Sequence, residues 1–251
     1  MTDPLAPLMD LPGVAEASDR AREALGRAHR HRANLRGWPV TAAEASLRAA
    51  RASSVLDGGP VRLDDVADAE GVSDPVFGGA LRVAQALEGG GGALVTVWQK
   101  APLQALARLH MLAAADLVDD EHLGRPRTDS DIGRRLELLA EVVSRPTQAS
   151  APVVAAVAHG ELLTLRPFGS ADGVVARGVS RLVTIATGLD PHGLGVPEVN
   201  WMRQPAAYRD AATKFSSGTP AGVASWLVLC CRALRAGAQE ALAIAEAVPR
   251  R

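Results

Sequence analysis

Alanine dominates this chain: 47 of its 251 residues are alanine, whereas Trp, Tyr and Phe together make up only 3%. Alanine has the highest helix propensity of any residue, while aromatic residues favour strands. Arginine, another good helix former, replaces lysine almost completely, since only Lys100 and Lys214 among the 27 basic residues are lysine. These proportions predict an all-α fold and argue against a β-sandwich or a β-barrel.

Basic and acidic side chains are almost balanced, and the formal net charge is -1. This balance excludes a globally basic nucleic-acid-binding protein and a polyacidic tail protein. The first residues carry no basic segment followed by an apolar stretch, and no run of about 18 apolar residues occurs, so neither a secretory signal nor a membrane span is expected. Cys230 and Cys231 are adjacent in an apolar run, which predicts two buried, reduced side chains. The expected location is the cytoplasm.

The glycines at 89–92 form a break that divides the chain into an N-terminal helical region, 1–92, and a helical core, 93–251. Thr41 and Glu44 have the spacing of a capping box, which predicts a helix that begins there and ends at Gly58. A helical pattern over 11–39 precedes it, and 94–98 fits either a short strand or a helix start. Further helices are predicted over 63–70, 74–88, 102–118, 130–144, 150–164, 173–187, 205–215, 219–235 and 236–247.

Two local patterns suggest ligand classes that the neighbouring residues contradict. The glycine run lacks the Gly-Lys-Ser/Thr of a phosphate-binding P-loop, since Ala93 and Leu94 follow it. Residues 63–84 have the spacing of a helix-turn-helix, but they contain five acidic side chains and a single cation, Arg82. Such a segment would repel DNA phosphates. We therefore expect no P-loop and no nucleic-acid partner.

The segment from Arg166 to Gly173 is predicted to be a loop that leads into the helix over 173–187. A helix N-terminus presents free N–H donors and the positive end of the dipole, so it can bind an anion. Gly173 would let the backbone approach a ligand closely, and Arg177 and Arg181 are four residues apart on one helix face. The segment indicates an electropositive pocket. Alternatively, a side chain of the loop caps the helix and the arginines pair with surface carboxylates.

Asp57 is predicted in the last turn of its helix, where its charge meets the negative end of the helix dipole. This placement is unfavourable by roughly a few tenths of a kcal/mol unless a cation compensates it. The position is typical of a plain turn residue, or of a carboxylate that an arginine from another element holds.

These segments together resemble the Fic (Fido) family, whose signature is His-Pro-Phe-x-Asp/Glu-Gly-Asn-Gly-Arg-x-x-Arg. Laid without gaps from Arg166, the signature is matched by Pro167, Phe168, Gly173 and Arg177. The run from Ser53 to Gly58 resembles the inhibitory motif Ser/Thr-x-x-x-Glu-Gly/Asn of the family, with Asp57 in place of Glu. Weaker similarities complete a resemblance over about 41–235: Leu109-His110, Gly124 to Arg127, Ala158 to Leu162, Pro205 to Arg209 and Trp226-Leu227.

The resemblance implies a Fic-like all-α core and, in ordinary members, transfer of AMP from ATP with Mg²⁺ to a hydroxyl of a protein. The signature histidine is the general base, a task that imidazole suits because it can be neutral near pH 7. Arg166 stands at that position and cannot accept a proton. Ser170 replaces the acidic Mg²⁺ ligand, Asp172 the asparagine and Val174 the first arginine. A shift of two residues would restore the acid but would supply no histidine.

These departures imply a Fic-fold protein with a degenerate loop, without ordinary AMP-transferase activity, that retains nucleotide or anion binding. No catalytic residue and no protein-held metal site is assigned. The expected nucleotide-binding residues are Arg166, Phe168, Ser170, Asp172, Gly173 and Arg177, and the expected inhibitory residues are Ser53, Asp57 and Gly58. The inhibitory glutamate of the family pairs with the final arginine, so we predict a contact between Asp57 and Arg177.

Two alternatives stay open at this point. The first is an active, divergent adenylyltransferase that uses another base, for which His159 is the nearest candidate in sequence. The second is a non-catalytic interaction or antitoxin-like module. The implied ligand is ATP with Mg²⁺ and the implied partner is a target protein, with no membrane involved.

Overall fold

Every regular element is a helix in the computed structural model, which describes residues 3–60 and 74–248. The all-α prediction is confirmed, because these ranges contain eleven α-helices and no strand. The helices are α1 (Val14–Arg30), α2 (Arg32–Leu56), α3 (Pro75–Leu87), α4 (Gly92–Lys100), α5 (Pro102–Ala114), α6 (Ser130–Ser144), α7 (Ala151–Leu165), α8 (Asp172–Ala186), α9 (Pro197–Arg203), α10 (Pro205–Ser216) and α11 (Pro220–Ala247). Short 3-10 turns lie at Ala6–Asp10, Glu88–Gly90 and Asp120–His122.

Helix α8 lies at the centre of the fold. Its residues are buried continuously from Val174 to Ile185, and α2, α3, α4, α5 and α7 all pack against it. A helix that is covered on every side has no face left for solvent. Arg177 and Arg181 are therefore carried into the interior, where each needs a specific partner.

Helix α11 is the second central element, and α1, α2, α7, α9 and α10 surround it. By length and composition alone it is the one helix of the described ranges that could cross a membrane. It nevertheless forms part of the interior here, since Trp226, Leu227 and Ala233 have no exposed surface. Cys230 and Cys231 are buried free thiols, as predicted, and burial raises the pKa of both.

The helix predicted to begin at Thr41 in fact begins at Arg32 and continues through Pro39. The capping-box interpretation is wrong, because the Thr41 hydroxyl lies 2.8 Å from Oδ1 of Asn34 and points back along the helix. Glu44, the other member of the supposed box, pairs with Arg48 instead. The break lies earlier, at His31, whose extended backbone separates α1 from α2.

The two C-terminal helices predicted over 219–235 and 236–247 are one helix, α11. Gly237 does not break it. A Cβ atom at Gly237 would lie 2.5 Å from the nitrogen of Pro197, so this glycine permits close packing against the segment before α9.

All four residues from Gly89 to Gly92 have positive φ angles, which glycine adopts at little cost. Residues 94–98 belong to α4, so the helical alternative for this segment is correct. Helices before and after the glycines contribute to one apolar core, which contains Ala50 and Leu87 as well as Leu109 and Val179. The helix predicted over 63–70 and the first part of the helix-turn-helix pattern lie outside the described residues.

Candidate functional site

The loop between α7 and α8 contains the two non-glycine residues of the described chain that have positive φ, Arg166 at 50° and Ala171 at 49°. Arg166 ends α7 and Ala171 precedes α8, so each left-handed residue turns the chain at one helix end. Such a conformation costs about 1 to 3 kcal/mol for a residue with a side chain and persists only where surrounding contacts enforce it.

Arg127 makes some of the contacts that hold the loop in this conformation. Its backbone N–H donates to the carbonyl of Pro167 at 2.8 Å, and its guanidinium donates to the carbonyl of Arg166 at 3.0 and 3.2 Å. These bonds satisfy carbonyl groups at the end of α7 that have no partner within the helix. Arg127 thus fixes the start of the loop from outside it.

His110 of α5 holds the middle of the loop. Its ring stacks on Phe168 with centroids 4.0 Å apart, and its Nε2 lies 3.1 Å from the Ser170 hydroxyl. Nδ1 accepts the N–H of Gly124, so in the neutral ring Nε2 carries the proton and donates to Ser170. Burial lowers the pKa of His110, which favours this neutral form. Phe168 and Ser170 are thus engaged in positioning the loop.

Asp172 begins α8 and turns one carboxylate oxygen back into the loop, where Oδ1 accepts the N–H of Phe168 at 2.9 Å. Its other oxygen, Oδ2, is buried and finds no hydrogen-bond partner among the described residues. Burial raises the pKa of this carboxyl, although the loop N–H groups and nearby arginines oppose the shift.

Arg177 is the buried charge at the base of the site, with a side chain only 2% exposed. Its Nη2 lies 2.9 Å from Oδ1 of Asp57, so the predicted contact between these residues is confirmed. Nε donates to the hydroxyl of Ser53 at 2.8 Å, and Nη2 also donates to the carbonyl of Ser53. Burial opposes the charge of Arg177, but Asp57 and a hydrogen bond with Tyr208 outweigh it and raise its pKa.

The Asp57 carboxylate also lies directly on the backbone of Gly173, the second residue of α8. A Cβ atom at Gly173 would be 2.3 Å from Oδ1 and 2.6 Å from Oδ2 of Asp57, far inside contact distance. The glycine is therefore required for this approach. Gly58, with φ of 94°, turns the chain immediately after Asp57 and so ends α2 at the site. A negatively charged group from α2 thus fills the space at the N-terminus of α8.

Tyr208 of α10 connects this site with the core behind it. Its hydroxyl lies 2.7 Å from Nε2 of His159, and the His159 ring meets Trp201 and Trp226 edge-on. His159 is fully buried, and burial together with the charge of Arg177 lowers its pKa well below the usual value. The neutral histidine is a core residue in this arrangement.

A half-open cavity of about 620 Å³ lies over the N-terminus of α8. Among the predicted residues, Arg166, Ser170, Asp172, Gly173, Arg177 and Asp57 line it, whereas Phe168, Ser53 and Gly58 do not. Arg209 of α10 also lines it and was not predicted, because an exposed arginine on a helix carries no local signal. Arg166 and Arg209 are both exposed, and neither is ion-paired with a residue of the described ranges.

The residues present do not fit a protein-held Mg²⁺ ion. The Ser170 hydroxyl carries no charge, and His110 already holds it. No group of three or more His, Cys, Asp or Glu side chains that could hold a metal occurs in the described part of the chain. Mg²⁺ prefers carboxylate oxygens or phosphate oxygens of a bound substrate. The groups that do converge on the cavity, a helix N-terminus and three arginines, suit a phosphate.

Comparison with solved structures gives a similar fold in a Fic family protein from Desulfovibrio desulfuricans G20. The TM-score is 0.63 at 16% sequence identity, and the match covers 95% of this chain and 76% of that one. No protein-family model matches the sequence, and no curated protein is similar to it at a significant level. The match shows a Fic-like fold, which confirms the fold expected from the resemblance.

Proposed function

We propose that this protein binds a phosphate-bearing ligand, a nucleotide in the first instance, at the N-terminus of α8, and that Asp57 competes with that ligand. The observation that supports this proposal is the position of the Asp57 carboxylate, in contact with Gly173 and 2.9 Å from Nη2 of Arg177. A carboxylate held by a helix N-terminus and a buried arginine occupies the environment that a phosphate oxygen favours.

The charges around the cavity support an anionic ligand. Three arginines line it, Arg166, Arg177 and Arg209, against two carboxylates, Asp57 and Asp172. Displacement of Asp57 would free Arg177 and leave the cavity more positive.

We further propose that the protein does not transfer AMP by the mechanism of the Fic family. A guanidinium cannot accept a proton, so Arg166 cannot serve at the position of the base, and no histidine of the described residues lines the cavity in its place. His159, the nearest alternative, is sealed behind Tyr208 and does not line the cavity. A cytoplasmic location, where the two buried thiols stay reduced, is part of this proposal.

The binding proposal is tested with ATP and the variant Asp57→Ala, with and without Mg²⁺, by calorimetric titration and thermal shift. The variant should bind ATP at least about tenfold more tightly than the natural chain, because the competing carboxylate is gone. Asp19→Ala, which removes an exposed aspartate on α1, is the matched control and should leave ATP affinity unchanged. The proposal is wrong if neither the natural chain nor Asp57→Ala shows any ATP-dependent shift.

The absence of transfer is tested separately by incubation of the natural chain and of Asp57→Ala with labelled ATP and either Mg²⁺ or Mn²⁺. We expect no label on the protein or on proteins of a cell extract. Robust labelling by either protein would overturn the inactive interpretation. A triple variant, Arg166→His, Ser170→Asp and Val174→Arg, that gains labelling would support descent from an active site.

A second candidate function is group transfer with Asp172 as the proton acceptor. One observation favours it: Oδ2 of Asp172 lacks a hydrogen-bond partner among the described residues, and burial raises the pKa of the carboxyl. A carboxylate with a raised pKa can act as a general base. If labelling does occur, Asp172→Asn should abolish it under this candidate. An interaction or antitoxin-like function stays a prediction.

A further inference from the structure

A second cavity, of about 770 Å³, lies on the other side of Tyr208, between α9, α10, α11 and the start of α1. Tyr208 lines both cavities, but the residues around it change completely from one to the other. The described residues that line the second cavity are Pro12, Asn200, Trp201, Gln204, Tyr208, Pro220, Ala221, Ala224, Ser225, Val228, Leu229 and Arg232. Nothing in the proposed function uses this cavity.

The walls of the second cavity are mainly apolar. Trp201, Val228 and Leu229 are among its apolar lining residues, and the side chains of Ala221 and Ala224 on the same wall are small. Cavities of about 300 to 1,000 Å³ with apolar walls and a few polar groups are the usual form of a small-molecule site. The volume and the lining both suit a ligand with an apolar body.

Two polar groups of the cavity, the guanidinium of Arg232 and the indole of Trp201, can only donate hydrogen bonds, whereas its amides and hydroxyls can also accept them. No carboxylate is among the described lining residues, and the one charged group is the guanidinium of Arg232. The indole N–H of Trp201, a residue only 2% exposed, finds no acceptor among the described residues. That N–H is itself buried, so the guanidinium of Arg232 is the donor that a ligand with acceptor oxygens would meet.

The mouth of the cavity is positively charged. Arg232 of α11 lines the cavity, and Arg235 lines an adjoining groove that shares Pro12, Val228 and Arg232 with it. Both arginines are exposed, and neither is ion-paired within the described ranges. The N-terminus of α1 meets the same region, where Gly13 precedes the helix and no side chain caps it. Glu16 is the carboxylate at this end, and it pairs with Arg20 at 2.6 Å. A helix N-terminus beside two free arginines complements a negative charge.

We propose that this cavity binds an amphipathic small molecule with one negative charge, in the class of aliphatic carboxylates. The apolar chain lies along Trp201, Val228 and Leu229, and the carboxylate lies at the mouth beside Arg232 and the start of α1. The chemistry of the walls requires the apolar body, and the charge of the mouth requires the anion. The apolar cavity is separate from the polar cavity, so a test of carboxylate binding here does not depend on whether the polar cavity binds a nucleotide.

The test is titration of the full chain with dodecanoate below its critical micelle concentration, followed by calorimetry and by tryptophan fluorescence. We expect saturable binding of one dodecanoate per chain, weaker binding of uncharged dodecanol, and no detectable binding of butanoate over the same range. Arg232→Gln should weaken dodecanoate binding by roughly fivefold, the effect of an exposed charge pair, without changing the affinity for dodecanol.

Two variants locate the site. Ala224→Phe fills the cavity from the buried side of α11, and Ser225→Trp obstructs it from an exposed position that the fold does not need. Each should weaken binding by at least about tenfold, whereas Ala93→Trp, on the exposed surface of α4, should have no effect.

Three results would overturn the proposal. The first is failure of dodecanoate to bind the natural chain. The second is unchanged affinity in Ser225→Trp and in a folded Ala224→Phe, which would place binding elsewhere. The third is dodecanol binding as tight as dodecanoate binding with no effect of Arg232→Gln, which would remove the anionic class of ligand.

Discussion

The two cavities that share Tyr208 present opposite surfaces to a ligand. In the polar cavity, Arg177 is already paired with Asp57 and bonded to Ser53, so a group of the chain itself satisfies the buried charge. In the apolar cavity, Arg232 has no ion-pair partner among the described residues, and no carboxylate is among the described lining residues. A ligand of the first cavity must compete with the protein, whereas a ligand of the second competes only with water.

The largest loss of stability should come from removal of the buried guanidinium of Arg177. Arg177→Met leaves the Asp57 carboxylate and the Ser53 carbonyl without their donor, which should lower the free energy of unfolding by about 3 to 5 kcal/mol. Arg232→Met, at the apolar cavity, removes an exposed charge and should change the same quantity by less than about 0.5 kcal/mol. Urea denaturation of the two variants measures the difference. Equal effects would contradict the contrast between the cavities.

A smaller effect should follow from adding a methyl group to Gly173. The new Cβ of Gly173→Ala would lie 2.3 Å from Oδ1 of Asp57, so the carboxylate must move, at a cost of about 1 to 3 kcal/mol in unfolding free energy. Asp57→Gly added to this variant should recover part of the loss, and a double-mutant cycle measures the coupling. Gly133→Ala is the control, since it meets open space in α6 and should stabilise the helix. Additive effects of the two substitutions would contradict the contact.

The shared wall can be tested with Tyr208→Phe. The substitution keeps the ring beside the apolar cavity and removes the hydroxyl that lies 2.7 Å from Nε2 of His159. Loss of a buried hydrogen bond that also reaches Arg177 should cost about 1 to 2 kcal/mol by thermal or urea unfolding. Thr213→Val is the matched control, because its hydroxyl is exposed and bonds only to its own helix. A loss no larger than that of the control would show that the hydroxyl does not support the polar side.

The smallest effect should be a change in pH dependence. Burial raises the pKa of Asp172 above its ordinary value of 3.8. Above that pH the folded state therefore binds more protons than the unfolded state. The contribution of Asp172 to the free energy of unfolding falls as the pH rises through the raised pKa. Asp172→Asn keeps the acceptor oxygen for Phe168 and loses the charge. Its stability relative to the natural chain should therefore increase as the pH rises above the ordinary value of 3.8, as followed by urea unfolding.

Asp190 is a control for which the opposite pH dependence of stability is expected. Burial raises its pKa, but the His29 ring, 2.8 Å away, and the N–H of Gly195 outweigh burial and lower it. Asp190 therefore stabilises the fold above its ordinary pKa, and this contribution is lost as the pH falls. Asp190→Asn should be less stable than the natural chain at neutral pH, with a difference that shrinks on acidification. Parallel pH profiles for the two variants would contradict both assignments.

The sequence predicted the central contact of the polar site. Gly58 after Asp57 marks a helix end and Gly173 a helix start, but the contact between Asp57 and Arg177 was predicted from the resemblance to the Fic family, whose inhibitory glutamate pairs with the final arginine of the signature. The apolar cavity carries no such signal. Trp201, Tyr208 and Val228 come from three different helices, and only the tertiary arrangement brings them together.

Two of the helix predictions were wrong, and for different reasons. Thr41 looked like a cap, but its hydroxyl donates to Oδ1 of Asn34, about two turns earlier in the same helix. The two helices predicted over 219–235 and 236–247 are continuous, and Gly237, just after the predicted boundary, is where α11 approaches the backbone before Pro197. A glycine or a threonine at a helix position therefore does not by itself distinguish an end from a close contact.

Under the proposed function, the attachment of Asp57 to the end of α2 sets the nucleotide concentration that is needed to fill the site. A tethered carboxylate is present at the site at a fixed effective concentration, which dilution of the protein cannot lower. The observed affinity for a nucleotide is then the intrinsic affinity reduced by the fraction of molecules in which Asp57 has left. The nucleotide concentration at which half of the sites are occupied would then depend on the side chain at position 57, and a substitution of Asp57 alone would change it.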